Sequence, residues 1–266
     1  MKTDLIKWKS PTLGEQREVM VVGEQGTPVL VFPSVQGGVE EWLNHGMFDS
    51  LREQVDEGYN QFFCLSGLMD QPLEVPLDRP SSEQSNVQPK EQSNVQPKEQ
   101  SNVQPKEQPH KQSVSDTDAI RQMVKYQNRY LDYVHDEVFP YVQRTNGNEY
   151  WIVAGVGEGA YLAAMAAWKF PERIKKVILI NGIFQYGDVA GPVSYIETMN
   201  LPVDSNPFDQ LDVRILTYEN ATVRQQSHWL SDALWARSCE HQFYVWNLHA
   251  ESSWELAGRM MREHIF

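Results

Sequence analysis

The sequence predicts an α/β fold with a mostly parallel sheet covered by helices on both faces. Three observations lead there. Short apolar runs alternate with stretches of helical periodicity along most of the chain, the pattern that parallel βαβ units produce. One apolar run, Tyr150 to Ala154, passes through three alternating glycines straight into an Ala-rich helical stretch. Finally, 266 residues with 41% apolar content can bury a substantial core within one α/β domain.

Taken in order, Arg17 to Val22 and Pro28 to Phe32 are β-rich runs separated by Gly23 and Gly26. Gln61 to Leu65 is a third. Ile120 to Gln143 carries apolar Met123, Tyr126, Tyr130, Tyr133, Val134 and Val138 at helical spacing. After the strand Tyr150 to Ala154, a helix over Gly159 to Phe170 stops at Pro171. Strands follow at Lys176 to Ile180, Val213 to Thr217 and Gln242 to Trp246. Helices are expected at Gln225 to Arg237 and Trp254 to His264.

One segment interrupts this pattern. Residues 83–106 are three identical copies of Glu-Gln-Ser-Asn-Val-Gln-Pro-Lys, with the start of a decayed fourth at Glu107. One Val per eight residues cannot bury enough apolar surface to offset chain entropy. Residues 83–108 therefore read as a disordered, low-complexity insertion in a surface loop of one domain spanning 1–266.

Composition excludes several function classes. A net charge of −13 argues against a nucleic-acid partner, because phosphate binding needs a positive surface. No run approaches the roughly 20 apolar residues needed to span a bilayer. Two cysteines, Cys64 and Cys239, and no apolar leader suit the cytoplasm. Cys and His positions show no zinc spacing, so no metal and no cofactor is expected. Homo-oligomerisation stays open.

The glycine run Gly155-Val156-Gly157-Glu158-Gly159-Ala160 admits two ligand-linked readings. As G-x-S-x-G it is a nucleophile elbow with Gly157 where serine belongs. As G-x-G-x-x-G/A, through Gly155, Gly157 and Ala160, it is a dinucleotide fingerprint. The acidic residue that fingerprint needs after the next strand is missing, since Lys176 to Ile180 runs into Asn181-Gly182. A tight βα turn without a ligand fits the same residues.

Several stretches, in order, resemble the esterase family of the α/β-hydrolase superfamily, in particular small bacterial esterase-like proteins. Trp8-Lys9-Ser10-Pro11-Thr12-Leu13-Gly14 is similar to an opening "ySPxLGR" segment. The run from Pro28 to Gly38 resembles a "PVLVFPTSGGR" strand and oxyanion loop. Asp136-Glu137-Val138-Phe139-Pro140 resembles "EEVLPxI", and Lys169-Phe170-Pro171-Glu172-Arg173 matches "xxPERF". Gly155 to Ala160 stands in place of "GxSMGA". The resemblance covers the chain outside about residues 70–118 and implies the α/β-hydrolase fold.

Position by position, the resemblance also implies where a catalytic triad would sit. The nucleophile position is Gly157. The acid position of a "GExD" turn falls on Ala221 in Tyr218-Glu219-Asn220-Ala221, although Glu219 could reach in if the turn shifts. The base of an "HDWxxW" segment falls on His249 if Trp254 is the final Trp, or on Ser252 if Trp254 is the first. Nucleophile and acid are thus both absent, and a serine hydrolase needs both alongside its base. The resemblance places the oxyanion donors at the Glu158 backbone and in the loop carrying Ser34, Val35, Gly37 and Gly38. The Glu158 side chain reads either as a helix-start carboxylate favoured by the dipole or as a pocket carboxylate. The expectation is a non-catalytic, esterase-like protein that binds a small molecule or a protein partner through a remnant pocket. Two alternatives stand beside it: acid-base chemistry by Glu158, Glu219 or His249, and nucleotide binding through the three glycines.

Overall fold

The computed structural model describes residues 1–68, 116–184, 210–219, 221–247 and 253–266, with the backbone alone for 116–124, 221 and 222. The repeat at 83–108 lies outside them, as do His249 and Ser252.

Eight strands form one sheet: β1 (Thr3–Lys9), β2 (Gln16–Val22), β3 (Thr27–Phe32), β4 (Asn60–Leu65), β5 (Trp151–Val156), β6 (Ile174–Ile180), β7 (Asp212–Tyr218) and β8 (Gln242–Trp246). Their spatial order is β1-β2-β4-β3-β5-β6-β7-β8. β2 runs antiparallel to β1 and β4, and all other pairs are parallel. Short helices α1 (Glu41–Asn44), α2 (Met47–Ser50) and α3 (Arg52–Asp56) connect β3 to β4. The longer helices are α4 (Asp116–Tyr133), α5 (Phe139–Thr145), α6 (Glu158–Lys169), α7 (Ala221–Ala236) and α8 (Ser253–His264).

Strand alternation splits the core in two. On one face Leu30, Phe32, Phe63, Val153, Val177 and Ile215 pack under α4 to α7, through residues such as Tyr130, Leu162, Trp168 and Leu234. On the other, Val29, Val31, Phe62, Ile152, Ile178 and Leu216 pack under α1 to α3 and α8, through Trp42, Phe48, Leu256 and Met260. Burial on both faces is why the central strands read as continuous apolar runs.

Strand β1 is not among the elements the sequence pattern predicts. It is an edge strand in which only Ile6 and Trp8 turn partly inward, between exposed charged residues. Those charges blunt a free sheet edge and mask the strand signal together. The helix expected over Ile120 to Gln143 is present but interrupted. Val134–Val138 is a π-turn, with the Phe139 N–H donating to the Val134 carbonyl. Pro140, which follows, has no N–H and its ring would press on the carbonyl of Asp136 in a regular helix.

That π-turn presents Glu137 to the N-terminal segment. Its carboxylate accepts from Trp8 Nε1 (2.6 Å), Ser10 Oγ (2.6 Å) and Thr12 N (3.0 Å). The opening segment and the "EEVLP"-like helix end, distant in sequence, are therefore one contact. Burial pushes the Glu137 pKa up, but the three donors outweigh it and hold it below the usual carboxylate value. A depressed folded-state pKa stabilises the fold above the unfolded pKa and is lost as pH falls through the folded one. Glu137→Gln is expected to cost about 1 kcal/mol at pH 7, a modest value because the carboxylate is only partly buried. The gap to the native protein should shrink as pH drops below about 4.3, where the unfolded carboxylate begins to protonate. Urea midpoints between pH 7 and 3 measure this, and a gap independent of pH would refute it.

At the N-terminal ends of β6 and β7, Lys176 is buried against Asp212 (3.3 Å) and donates to the Phe266 backbone carbonyl. Arg214 pairs with the same Asp212 at 3.0 Å. Burial lowers the Lys176 pKa more than Asp212 raises it. This cluster ties the last helix to the sheet from the edge opposite the glycine turn.

Candidate functional site

Strands β5 to β8 are parallel, with Val156 beside Ile180, Ile180 beside Leu216, and Tyr218 beside Trp246. Their ends place Gly157, Asn181, Glu219 and Asn247 along one edge, the side on which open α/β sheets bind ligands.

Gly157 is the pivot. It has φ 59° and ψ −118° between β5 and α6, a conformation that L side chains rarely adopt. Its N–H donates to the Ile180 carbonyl (2.9 Å), and its own carbonyl accepts from Ala160 N (3.2 Å) and Ile183 N (3.3 Å). A Cβ built on Gly157 meets nothing within 4 Å, so the turn opens to space at that atom. The two outer glycines are required by packing instead. A Cβ on Gly155 would stand 2.2 Å from the Gly159 carbonyl, and one on Gly159 would stand 2.1 Å from the Phe32 carbonyl oxygen. The small residues let the start of α6 lie directly on the sheet.

The loop after β3 faces this turn. The Val35 N–H donates to Glu158 Oε2 at 3.1 Å. Ser34 donates through its N–H and its hydroxyl to the two oxygens of Glu41, at 2.8 and 2.6 Å. Gly37 N–H closes onto the Ser34 carbonyl, and Gly67 N–H onto the Gly37 carbonyl, both at 2.8 Å. Gly67 leaves no room for a side chain, because a Cβ there would lie 2.7 Å from three carbonyls of the loop. Behind it the buried Arg17 donates to the Gly67 carbonyl at 2.7 Å, and Tyr130 OH to the Ser66 carbonyl at 2.7 Å. Arg17 lies 5.9 Å from the ring centres of both Tyr130 and Tyr133.

Of the residues expected at the site, Gly157, Glu158 and Val35 come together. Ser34 and Gly37 belong to the same loop but serve its internal bonding. Glu219 follows β7 and is exposed, and Ala221 begins α7. Glu41 and Arg17 were not singled out by the sequence. Glu41 braces the loop from seven residues further along the chain, while Arg17 reaches Gly67 across 50 residues, a contact that no local motif announces. Asn181 is a further addition: it takes a positive φ of 49°, is buried, and its Oδ1 has no partner among the described residues. An Asn-Gly pair at a strand end was the available signal. Among the described residues no three acidic, His or Cys side chains group as a metal site, and no helix is long and apolar enough to cross a membrane. A surface cleft lined by Leu5, Lys7, Glu18, Glu41 and His45 touches neither Gly157 nor Glu158.

Comparison with solved structures agrees with this arrangement. A ferulic acid esterase superposes with a TM-score of 0.63 at 10% identity, over 98% of this chain and 95% of its own. The chain has an α/β-hydrolase fold. An S-formylglutathione hydrolase from Agrobacterium tumefaciens gives 0.61 at 14% identity, over 99% and 92%. One from Staphylococcus aureus gives 0.59 at 10%, over 98% and 95%. No family model and no curated protein matches the sequence. The turn at Gly157 lies between the fifth strand and the helix that follows it, facing the loop after β3.

Proposed function

We propose that this chain is a non-catalytic, esterase-like α/β-hydrolase-fold protein that binds a small ligand or a protein partner above the elbow. The observation that carries the reading is Gly157: the elbow backbone is kept, while the atom that would attack a carbonyl is missing. Serine catalysis divides the work among nucleophile, base and acid, and loss of the nucleophile alone leaves only residual rate effects. The likeness to esterases and hydrolases supports an esterase-like pocket. The glycines fit nucleotide binding less well. They follow the fifth strand of the chain rather than the first βα turn where that fingerprint acts, and the strand order differs from the dinucleotide fold.

The test is covalent labelling by a fluorophosphonate probe, together with hydrolysis of chromogenic short-chain esters. Neither label nor turnover above the buffer rate is expected for the native protein. A labelled residue would reveal a nucleophile elsewhere and refute the reading.

A further inference from the structure

We propose that β8 pairs with β8 of a second copy of this chain, antiparallel across a twofold axis, so that the homodimer has one continuous sheet. The inference goes beyond the proposed function and holds whether or not the elbow binds a ligand. The two edges of the sheet are built differently. β1 carries Asp4, Lys7 and Lys9 among its seven residues, charges that discourage a further strand. β8 ends the sheet on the other side, and among the described residues nothing but β7 bonds to its backbone. Its residues Gln242-Phe243-Tyr244-Val245-Trp246 include no charge, no Pro and no Gly. All but Gln242 are aromatic or β-branched, the types that suit a paired strand. Tyr244 is 38% exposed and Val245 40%. An edge of this composition, left uncovered, is a template for another strand.

The strand is its own good partner. In antiparallel pairing centred on Tyr244, Tyr244 meets Tyr244, Phe243 meets Val245 and Gln242 meets Trp246 of the second copy. Aromatic pairs and aromatic–β-branched pairs of this kind stabilise neighbouring strands. Such self-complementarity gives the closed contact of a twofold dimer. The faces match as well: Phe243 packs on the side of α4 to α7, and Trp246 on the side of α8. Trp235, at the end of α7 and 60% exposed, has its ring centre 4.8 Å from that of His241. The same register sets His241 opposite Asn247 of the second copy, so a Trp235 stands at each end of the paired strands. Charge selects the same occupant. At −13, two copies repel wherever acidic surfaces meet. From His241 to Asn247 there is no Asp, Glu, Lys or Arg, so the pairing opposes no like charges. A basic partner, which the net charge would attract, finds no carboxylate on this strand. The contact is short, so the dimer is weak, and salt should tighten it by screening the overall repulsion.

The test is sedimentation equilibrium of the full-length protein over about 1 to 200 µM, at low and at physiological salt. The mass should rise toward twice that of the chain, with the lower dissociation constant at the higher salt. Val245→Lys, a change at an exposed edge position, should raise that constant at least about tenfold, although it reduces the net negative charge. Leu5→Lys, 44% exposed on β1, is the matched control and should leave it unchanged. Hydrogen exchange should show residues 242–246 of the native protein better protected at the high concentration than at the low one. A native protein that stays monomeric throughout overturns the proposal and leaves the edge to a strand of another protein. So does a dimer that survives Val245→Lys, dissociates with Leu5→Lys, loosens with salt or leaves the exchange of 242–246 unchanged. Should Val245→Lys not fold, Tyr244→Lys takes its place with the same expected loss, and the exchange of the native protein decides independently of either variant.

Discussion

Gly157→Ser is expected to fold and still to hydrolyse esters at no more than about 10⁻⁴ of a working serine esterase. The space is there, because the new Cβ meets nothing within 4 Å. The strained backbone is there too, and holding serine at φ 59° should cost about 1–3 kcal/mol of stability. What is missing is the rest of the chemistry. A free hydroxyl is a poor nucleophile at neutral pH without a base to take its proton. If His249 is that base, Ala221 leaves it without an acid to fix its tautomer, which in triad enzymes costs about 10⁴ in turnover. If the base position is Ser252, nothing takes the proton.

Glu158 adds a separate obstacle. With its carboxylate on Val35 N–H, one oxyanion donor is engaged, and losing one such donor costs about 10²–10³ in rate. Adding Ala221→Asp to Gly157→Ser should therefore help strongly only if His249 is the base. In the other case Ser252→His is needed as well. In either background, Glu158→Met should raise the rate further. Single, double, triple and quadruple variants assayed with chromogenic esters and a fluorophosphonate separate these contributions. Esterase-level turnover by Gly157→Ser alone would mean that another carboxylate, with Glu219 the first candidate, serves as the acid.

The largest expected loss of stability comes from one methyl group. Gly159→Ala should destabilise the fold by about 3 kcal/mol or more, on the scale of an overpacked core. Helix propensity alone predicts the opposite, since Ala in place of a helical Gly gains about 1 kcal/mol. The clash decides the sign: the added carbon would stand 2.1 Å from the Phe32 carbonyl oxygen, and backbone cannot yield as a flexible side chain would. Gly155→Ala should behave alike, because its Cβ meets the Gly159 carbonyl at 2.2 Å. Gly157→Ala is the control, with open space but a positive φ, and should cost about 1–3 kcal/mol, as for serine there. Urea midpoints at constant m-value give the ranking. A Gly157→Ala variant less stable than Gly159→Ala would show that conformational strain, not the close approach of α6 to the sheet, governs these glycines.

By itself the sequence determined the strands β2 to β8, the longer helices, and the strand–glycine–helix turn with no oxygen at its centre, but not the short helices α1 to α3. These features are local. Apolar runs, helical periodicity and alternating glycines are set by neighbours a few residues apart, and burial on both faces makes the central strands continuous in composition. The same locality hid β1, whose partly inward Ile6 and Trp8 sit among edge charges, and the π-turn that Pro140 imposes on the helix before it. Only the tertiary structure decided which of the candidate site residues come together. Ser34, singled out in the sequence by its place after the strand Pro28 to Phe32, braces that loop on Glu41, and Arg17 supports it from behind. The Glu158 carboxylate, at the start of α6, accepts from the Val35 amide in the loop after β3. That contact spans strands far apart in the chain, and hydrogen bonds of such range leave no periodic mark for a sequence to show.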